Sequence, residues 1–135
     1  MDIKKYLNVI DEKSEIFTGV SDKIWEYAEL SLMEYQSAEL YCKTLEEHGF
    51  EVERNIAGIE TCFKGSFGHG RPVIGVLAEF DALSGLSQKA AHAQREELVE
   101  GGSGHGCGHN MLGAGSLAAA FAVKEYLAEK GGEGT

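Results

Sequence analysis

The sequence predicts an α/β layered domain, and three observations carry the prediction. Apolar residues recur at helical spacing near both ends of the chain, and short alternating segments pair across turn residues in its middle. The continuous apolar run Val73-Ile74-Gly75-Val76-Leu77-Ala78 suits a central strand covered on both faces. At 135 residues the chain fits one domain, long enough to bury roughly two-thirds of its unfolded surface.

From Ile10 to Met33 the apolar positions Ile16, Val20, Ile24, Tyr27, Ala28 and Leu32 fall at intervals of three and four, which predicts an amphipathic helix. Ser37 suits the cap of a second helix carrying Ala38, Leu40, Tyr41 and Leu45, and Gly49 suits its left-handed end. Phe50 to Arg54 alternates apolar and polar side chains, and Thr61 to Lys64 does so again after the turn residues Asn55 and Gly58. These predict neighbouring strands. The turn Gly65 to Pro72 leads into the central strand, 73–78. Residues 82–104 lack clear periodicity, with a short polar helix expected over Gln88–Glu100 and a glycine loop at 101–104. Asn110 is then expected to cap a last helix, Met111–Lys130, whose small face Gly113, Ala114, Ala118 and Ala122 permits close packing. The tail 131–135 closes that helix. So few strands leave the sheet looking unfinished, and no repeat or linker divides the chain.

Composition narrows the function. The chain is 43% hydrophobic and 25% charged, with one proline, as in an ordinary globular protein. Twelve basic against twenty-two acidic residues give a net charge of −10, which repels nucleic acid and anionic membrane surfaces. The segment Met1-Asp2-Ile3-Lys4-Lys5-Tyr6 has no apolar signal-like run, and no stretch nears the ~18 apolar residues of a membrane span. A soluble cytoplasmic protein is the expectation. Cys42, Cys62 and Cys107 are odd in number and irregular in spacing, so no disulfide framework is expected. Cys42 and Cys62 read as core residues.

The chemistry concentrates at two places. Glu79-Phe80-Asp81 ends the predicted central strand, where open α/β sheets place their ligands. In His105-Gly106-Cys107-Gly108-His109-Asn110, a thiol and an imidazole stand two apart among glycines, just before a helix. Thiolate and imidazole suit zinc and other first-row divalent metals, and a helix N-terminus favours the thiolate. A site needs at least a third ligand. His105, Glu79, Asp81, His92 and His69 are the candidates, and spacing does not choose among them. Asp81 fits two roles equally: a carboxylate orienting a ligating imidazole, or a strand-end acid facing water. Alone, Cys107 would read as a small buried residue and His109 as an ordinary histidine; together before a helix they favour a site. His48 reads as a helix-end cation, His69 as a surface turn residue, and Trp25, Tyr27 and Tyr35 as packing. The glycines of 101–108 lack the spacing of a phosphate loop.

Glu79-Phe80-Asp81-Ala82-Leu83, followed after an excursion by His105-Gly106-Cys107-Gly108-His109-Asn110 and a small-residue helix, resembles the aminoacylase-type amidohydrolase branch of the M-twenty metallopeptidases. Ile24-Trp25-Glu26-Tyr27-Ala28-Glu29-Leu30 and Glu34-Tyr35-Gln36-Ser37-Ala38 resemble the first helices of the same family. The resemblance covers nearly the whole chain. It implies a three-layer αβα sheet domain of zinc-exopeptidase type, of which residues 1–135 form the N-terminal part. It also implies two Mn²⁺ or Zn²⁺ ions with Cys107 and His109 as ligands, His105 as a further candidate, and Asp81 orienting the cluster. The implied reaction is attack of water on the amide of an N-acyl or aminobenzoyl amino acid or a dipeptide, a small-molecule substrate, by an oligomeric full-length protein. The family's Glu-Glu pair, further histidine ligands and inserted lid and dimerisation domain have no counterpart here, so the chain alone is expected to be inactive. Glu125 and Glu129 lie in the last helix and are expected to be solvated. Two other readings stand beside this one: a small non-catalytic metal-binding module, and a Cys107 nucleophile with His105 or His109 as its base.

Overall fold

In the computed structural model, which describes residues 3–131 and 133–135, helices enclose the core and a two-stranded ribbon flanks it. Met1, Asp2 and Gly132 of the expected terminus and tail lie outside the described residues. The helix predicted from Ile10 to Met33 is α2 (Ser14–Tyr27), and an unexpected helix, α1 (Ile3–Glu12), precedes it, the two separated where Lys13 leaves helical geometry at φ −109°, ψ 16°. Helix α1 buries Tyr6 and Val9, residues that lie before the stripe read from the sequence. Helix α2 also ends earlier than the stripe, at a left-handed Ala28, and Leu32 and Met33 are exposed rather than packed.

Helix α3 (Tyr35–Glu47) begins two residues before Ser37. Ser37 does not cap it: the Glu29 carboxylate does, accepting the backbone N–H groups of Gln36 and Ser37 at 2.9 Å each and the Ser37 hydroxyl at 2.8 Å. Burial works to raise the pKa of Glu29, but these donors prevail and hold it below the usual carboxylate range. The helix closes at Gly49, which takes the left-handed φ of 78°.

Strands β1 (Glu51–Arg54) and β2 (Phe63–Ser66) pair antiparallel, with Arg54 opposite Phe63 and Val52 opposite Gly65. Among the described residues these form a mixed helix and strand arrangement with a two-stranded sheet, a partial α/β domain, and no third layer is seen. The expected central strand 73–78 makes no ladder. Val73 is 68%, Ile74 72%, Val76 51% and Leu77 91% exposed, because no neighbouring strand lies against them among the described residues. The expectation of a strand covered on both faces is not met here, because pairing requires partners that apolar composition does not supply. The polar helix expected over 88–100 is also absent. Gln88 and Lys89 pair instead with Glu96, whose carboxylate meets both Lys89 and His92.

Helix α4 (His109–Glu129) starts one residue before its predicted cap. Gly108, left-handed at φ 76°, occupies the N-cap position, and Asn110 sits in the first turn with its amide on the Ser21 hydroxyl and carbonyl. Far from being merely solvated, Glu129 takes hydrogen bonds from Lys5 and Tyr6 and ties α1 to α4. Phe121 is the hub of the core, meeting Phe17 edge-on at 5.1 Å, Phe50 at 5.6 Å and the His48 ring at 4.9 Å. No helix is long and apolar enough to cross a membrane among the described residues.

The small face of α4 is not uniform. A methyl on Gly113 would collide with the Tyr41 hydroxyl and the Glu79 carbonyl oxygen, whereas one on Gly115 would meet open space. Gly113→Ala is therefore expected to cost about 1–3 kcal/mol by overpacking. Gly115→Ala should stabilise the helix by about 0.5–1 kcal/mol through propensity alone. Urea unfolding of the two variants, two residues apart on one helix, should show these opposite signs.

Candidate metal-binding half-site

Asp81 and His109 are 28 residues apart, and the backbone brings them together. The long excursion between them is stapled at its base. Leu83 and Gly104 exchange two backbone hydrogen bonds of 2.9 and 3.0 Å, and Ser87 N–H reaches Gly102 O at 3.0 Å. Gly104 permits this approach, since a side chain there would strike the Leu86 carbonyl. On the other side, Ala82 N–H donates to Glu29 O at 2.7 Å, which fixes Asp81 against the turn that leads into α3. The Ser103 hydroxyl bonds the Ala28 carbonyl, so both ends of the excursion rest on the turn after α2.

In this frame Asp81 Oδ1 lies 2.8 Å from His109 Nδ1, with both side chains about four-fifths buried. An acceptor at Nδ1 requires a proton there in the neutral ring, so Nε2 carries the free lone pair. Nε2 stands 3.3 Å from Glu79 Oε2, whose side chain is 63% exposed. Cys107 is an exposed free thiol. Cys107 and His109 line one groove of about 750 Å³, walled by Val76, Met111 and Leu112.

The structure thus brings together Asp81, His109, Glu79 and, along the same groove, Cys107. His105 is elsewhere. It is 4% exposed, its Nε2 lies 3.0 Å from the Ile24 carbonyl of α2, and its Nδ1 has no protein partner. Burial lowers its pKa, opposed by the Ile24 hydrogen bond, so the ring favours the neutral form. His92 is held by Glu96 in the excursion, and His69 bridges to Glu133 and Gly134. Sequence reasoning missed Glu29, which no local pattern marks because the groups it caps lie seven and eight residues further on.

The donor set fits a divalent ion in part. An exposed thiol and an imidazole with a free Nε2 are the right groups, and Asp81 supplies the orienting carboxylate. Among the described residues, however, no three His, Cys, Asp or Glu side chains stand together as a complete metal cage.

No family model matches the chain. It is 45% identical over 128 residues to a subunit of the p-aminobenzoyl-glutamate hydrolase of Escherichia coli, covering 95% of this chain and 27% of that protein. It is 30% identical over 121 residues to thermostable carboxypeptidase 1 of Saccharolobus solfataricus and 29% identical to thermostable carboxypeptidase 2, covering 88% of this chain and 30% of each. The chain is homologous over most of its length to these hydrolases, consistent with the M-twenty resemblance, and spans less than a third of theirs.

Two outcomes follow from the geometry. In long-range proton–nitrogen NMR spectra, neutral His109 should be protonated at Nδ1, and Asp81→Asn should shift the tautomer balance toward Nε2–H. For His105, the depressed folded pKa means that the unfolded chain takes up the proton first. Its contribution is present above the ordinary histidine value of about 6.5 and is lost as pH falls through it. Denaturant unfolding at pH 7.5 and 5.5 should show a smaller loss for His105→Gln than for the wild type.

Proposed function

We propose that this chain is part of a metal-dependent amidohydrolase that cleaves the amide bond of an N-acyl or aminobenzoyl amino acid, p-aminobenzoyl-glutamate among them, or of a dipeptide. The observation that carries the reading is the Asp81–His109 pair beside the Cys107 thiol, on a chain homologous to part of a p-aminobenzoyl-glutamate hydrolase and to carboxypeptidases.

Cys107 and His109 Nε2 would hold one of two Mn²⁺ or Zn²⁺ ions, and a bound ion supplies Lewis-acid polarisation of the amide carbonyl and a more acidic water. The chain's own residues do the positioning. Asp81 holds the His109 ring by Nδ1 and so keeps Nε2 turned outward as a lone-pair donor. Gly108 and the start of α4 place Cys107 beside the N-terminal end of the helix. Glu79, exposed and 3.3 Å from Nε2, is the neighbouring carboxylate free to turn toward an ion. The apolar wall of Val76, Met111 and Leu112 suits an uncharged acyl or aromatic group.

Because no third donor converges on them among the described residues, the 135-residue chain binds metal weakly and lacks hydrolytic activity by itself. Zn²⁺ or Mn²⁺ titration by calorimetry should give weak binding that is lost in Cys107→Ala and in His109→Ala. Asp81→Asn should weaken it by about 10–100-fold, the usual cost of removing an orienting carboxylate. Metal-dependent release of glutamate from p-aminobenzoyl-glutamate by the chain alone would refute the inactivity. Metal binding indifferent to Cys107 and His109 would refute the site.

A further inference from the structure

The segment that carries Cys107 and His109 has little stiffness of its own. Gly104, Gly106 and Gly108 alternate with its functional residues, and glycine backbone is the least restricted in conformation. Yet the segment is tied to α2 and its C-terminal end by three side chains, running antiparallel to the helix. The Ser103 hydroxyl donates to the Ala28 carbonyl, His105 Nε2 to the Ile24 carbonyl at 3.0 Å, and Asn110 Nδ2 to the Ser21 hydroxyl at 3.0 Å and the Ser21 carbonyl at 3.4 Å. From Ser21 to Ala28 these ties cover about 10 Å of helix. Between the last two the chain bows outward: His105 and Asn110 are 4% and 5% exposed, whereas Gly106 and Cys107 face solvent.

These bonds supply nothing that α2 needs. The Ile24 carbonyl already accepts the Ala28 N–H at 3.0 Å, and the Ser21 carbonyl lies inside the helix, where the Trp25 N–H is its regular partner. Nor do they serve the stability of the two buried side chains. With Nε2 and Nδ2 donating, His105 Nδ1 and Asn110 Oδ1 are buried acceptors without a donor among the described residues, a cost that an apolar side chain of similar size avoids. What the bonds do fix is the place of the loop between them. The Asp81 carboxylate holds the His109 ring at 2.8 Å, but the exposed Cys107 takes its position from the backbone on either side of it.

We propose that His105 and Asn110 are positioning residues of the half-site: together they strap the ligand segment to α2 and so set where Cys107 stands relative to His109 Nε2. This inference rests on the metal reading and goes further than it. Helix α2, which offers no donor to the ion, is the base on which both donors are registered, and metal affinity responds to substitutions on α2 itself.

Co²⁺ titration of the 135-residue chain tests it, because thiolate charge-transfer absorption reports ligation through Cys107. His105→Leu and Asn110→Leu should each weaken Co²⁺ binding by about three- to tenfold, the equilibrium factor of one ordinary net hydrogen bond. His105→Gln, whose amide N–H has the reach of Nε2, should restore most of that loss. Ser21→Ala is the decisive variant, since it removes the nearer acceptor of Asn110 and favours the helix. It should weaken binding by about two- to threefold while thermal unfolding stays unchanged or rises, a combination that general loosening of the fold does not produce. In the metal-free chain, amide exchange at Gly108, whose N–H donates to His105 O at 3.0 Å, should quicken in His105→Leu. Wild-type affinity in His105→Leu or Ser21→Ala, unchanged Gly108 exchange, affinity that falls only in step with global stability, or a His105→Gln that binds no tighter than His105→Leu overturns the inference and leaves the metal reading standing. A wild-type chain that binds no Co²⁺ through Cys107 refutes the metal reading, and this inference with it.

Discussion

The two backbone hydrogen bonds between Leu83 and Gly104 hold the site together. They close a loop whose feet stand directly beside every chemically interesting residue. Asp81 precedes the first foot by two residues, and Cys107 and His109 follow the second by three and five. Without that clasp the carboxylate and the imidazole would be independent ends of a long loop, and a 2.8 Å contact between them would carry its full closure entropy. The clasp depends in turn on a missing side chain at 104, because a Cβ there would drive the two segments apart at the Leu86 carbonyl.

Around the clasp, packing and polar contacts divide the labour. The aromatic cluster at Phe121 sets the relation of α4 to α2 and to the β1 ribbon. The polar ties of Glu29 and Ser103 to their neighbours then orient the turn after α2 against both ends of the excursion. His105 belongs to this second group. Its Nε2 on the Ile24 carbonyl couples the cluster segment to the core rather than to solvent, and its burial keeps it neutral.

Much of this was legible in sequence, for reasons particular residues make plain. The helices carry a stripe that survives without tertiary context, and Gly49 marks a helix end because few other residues accept a φ of 78°. The two short strands announced themselves by alternation and by the turn between them. What failed were inferences that needed a partner. The run 73–78 has the composition of a buried strand, yet ladders are made between segments, and among the described residues no strand lies against it. Helix α1 was not expected because, of its ten residues, only Tyr6 and Val9 are buried, too few to stand out as a stripe. For the site, the pairing of Cys107 with His109 was visible as local spacing. The choice between two roles for Asp81 was not, since it turns on a contact across 28 residues.

The same clasp makes the excursion a detachable part. Its tip is organised by its own contacts among Gln88, Lys89, His92 and Glu96, and its feet are fixed at 83 and 104. Loop closure depends only weakly on length, each doubling costing about 0.6 kcal/mol. Segments of other lengths and compositions can therefore be carried between those feet without displacing the residues beside them, which makes this loop a natural place for variation and for grafting.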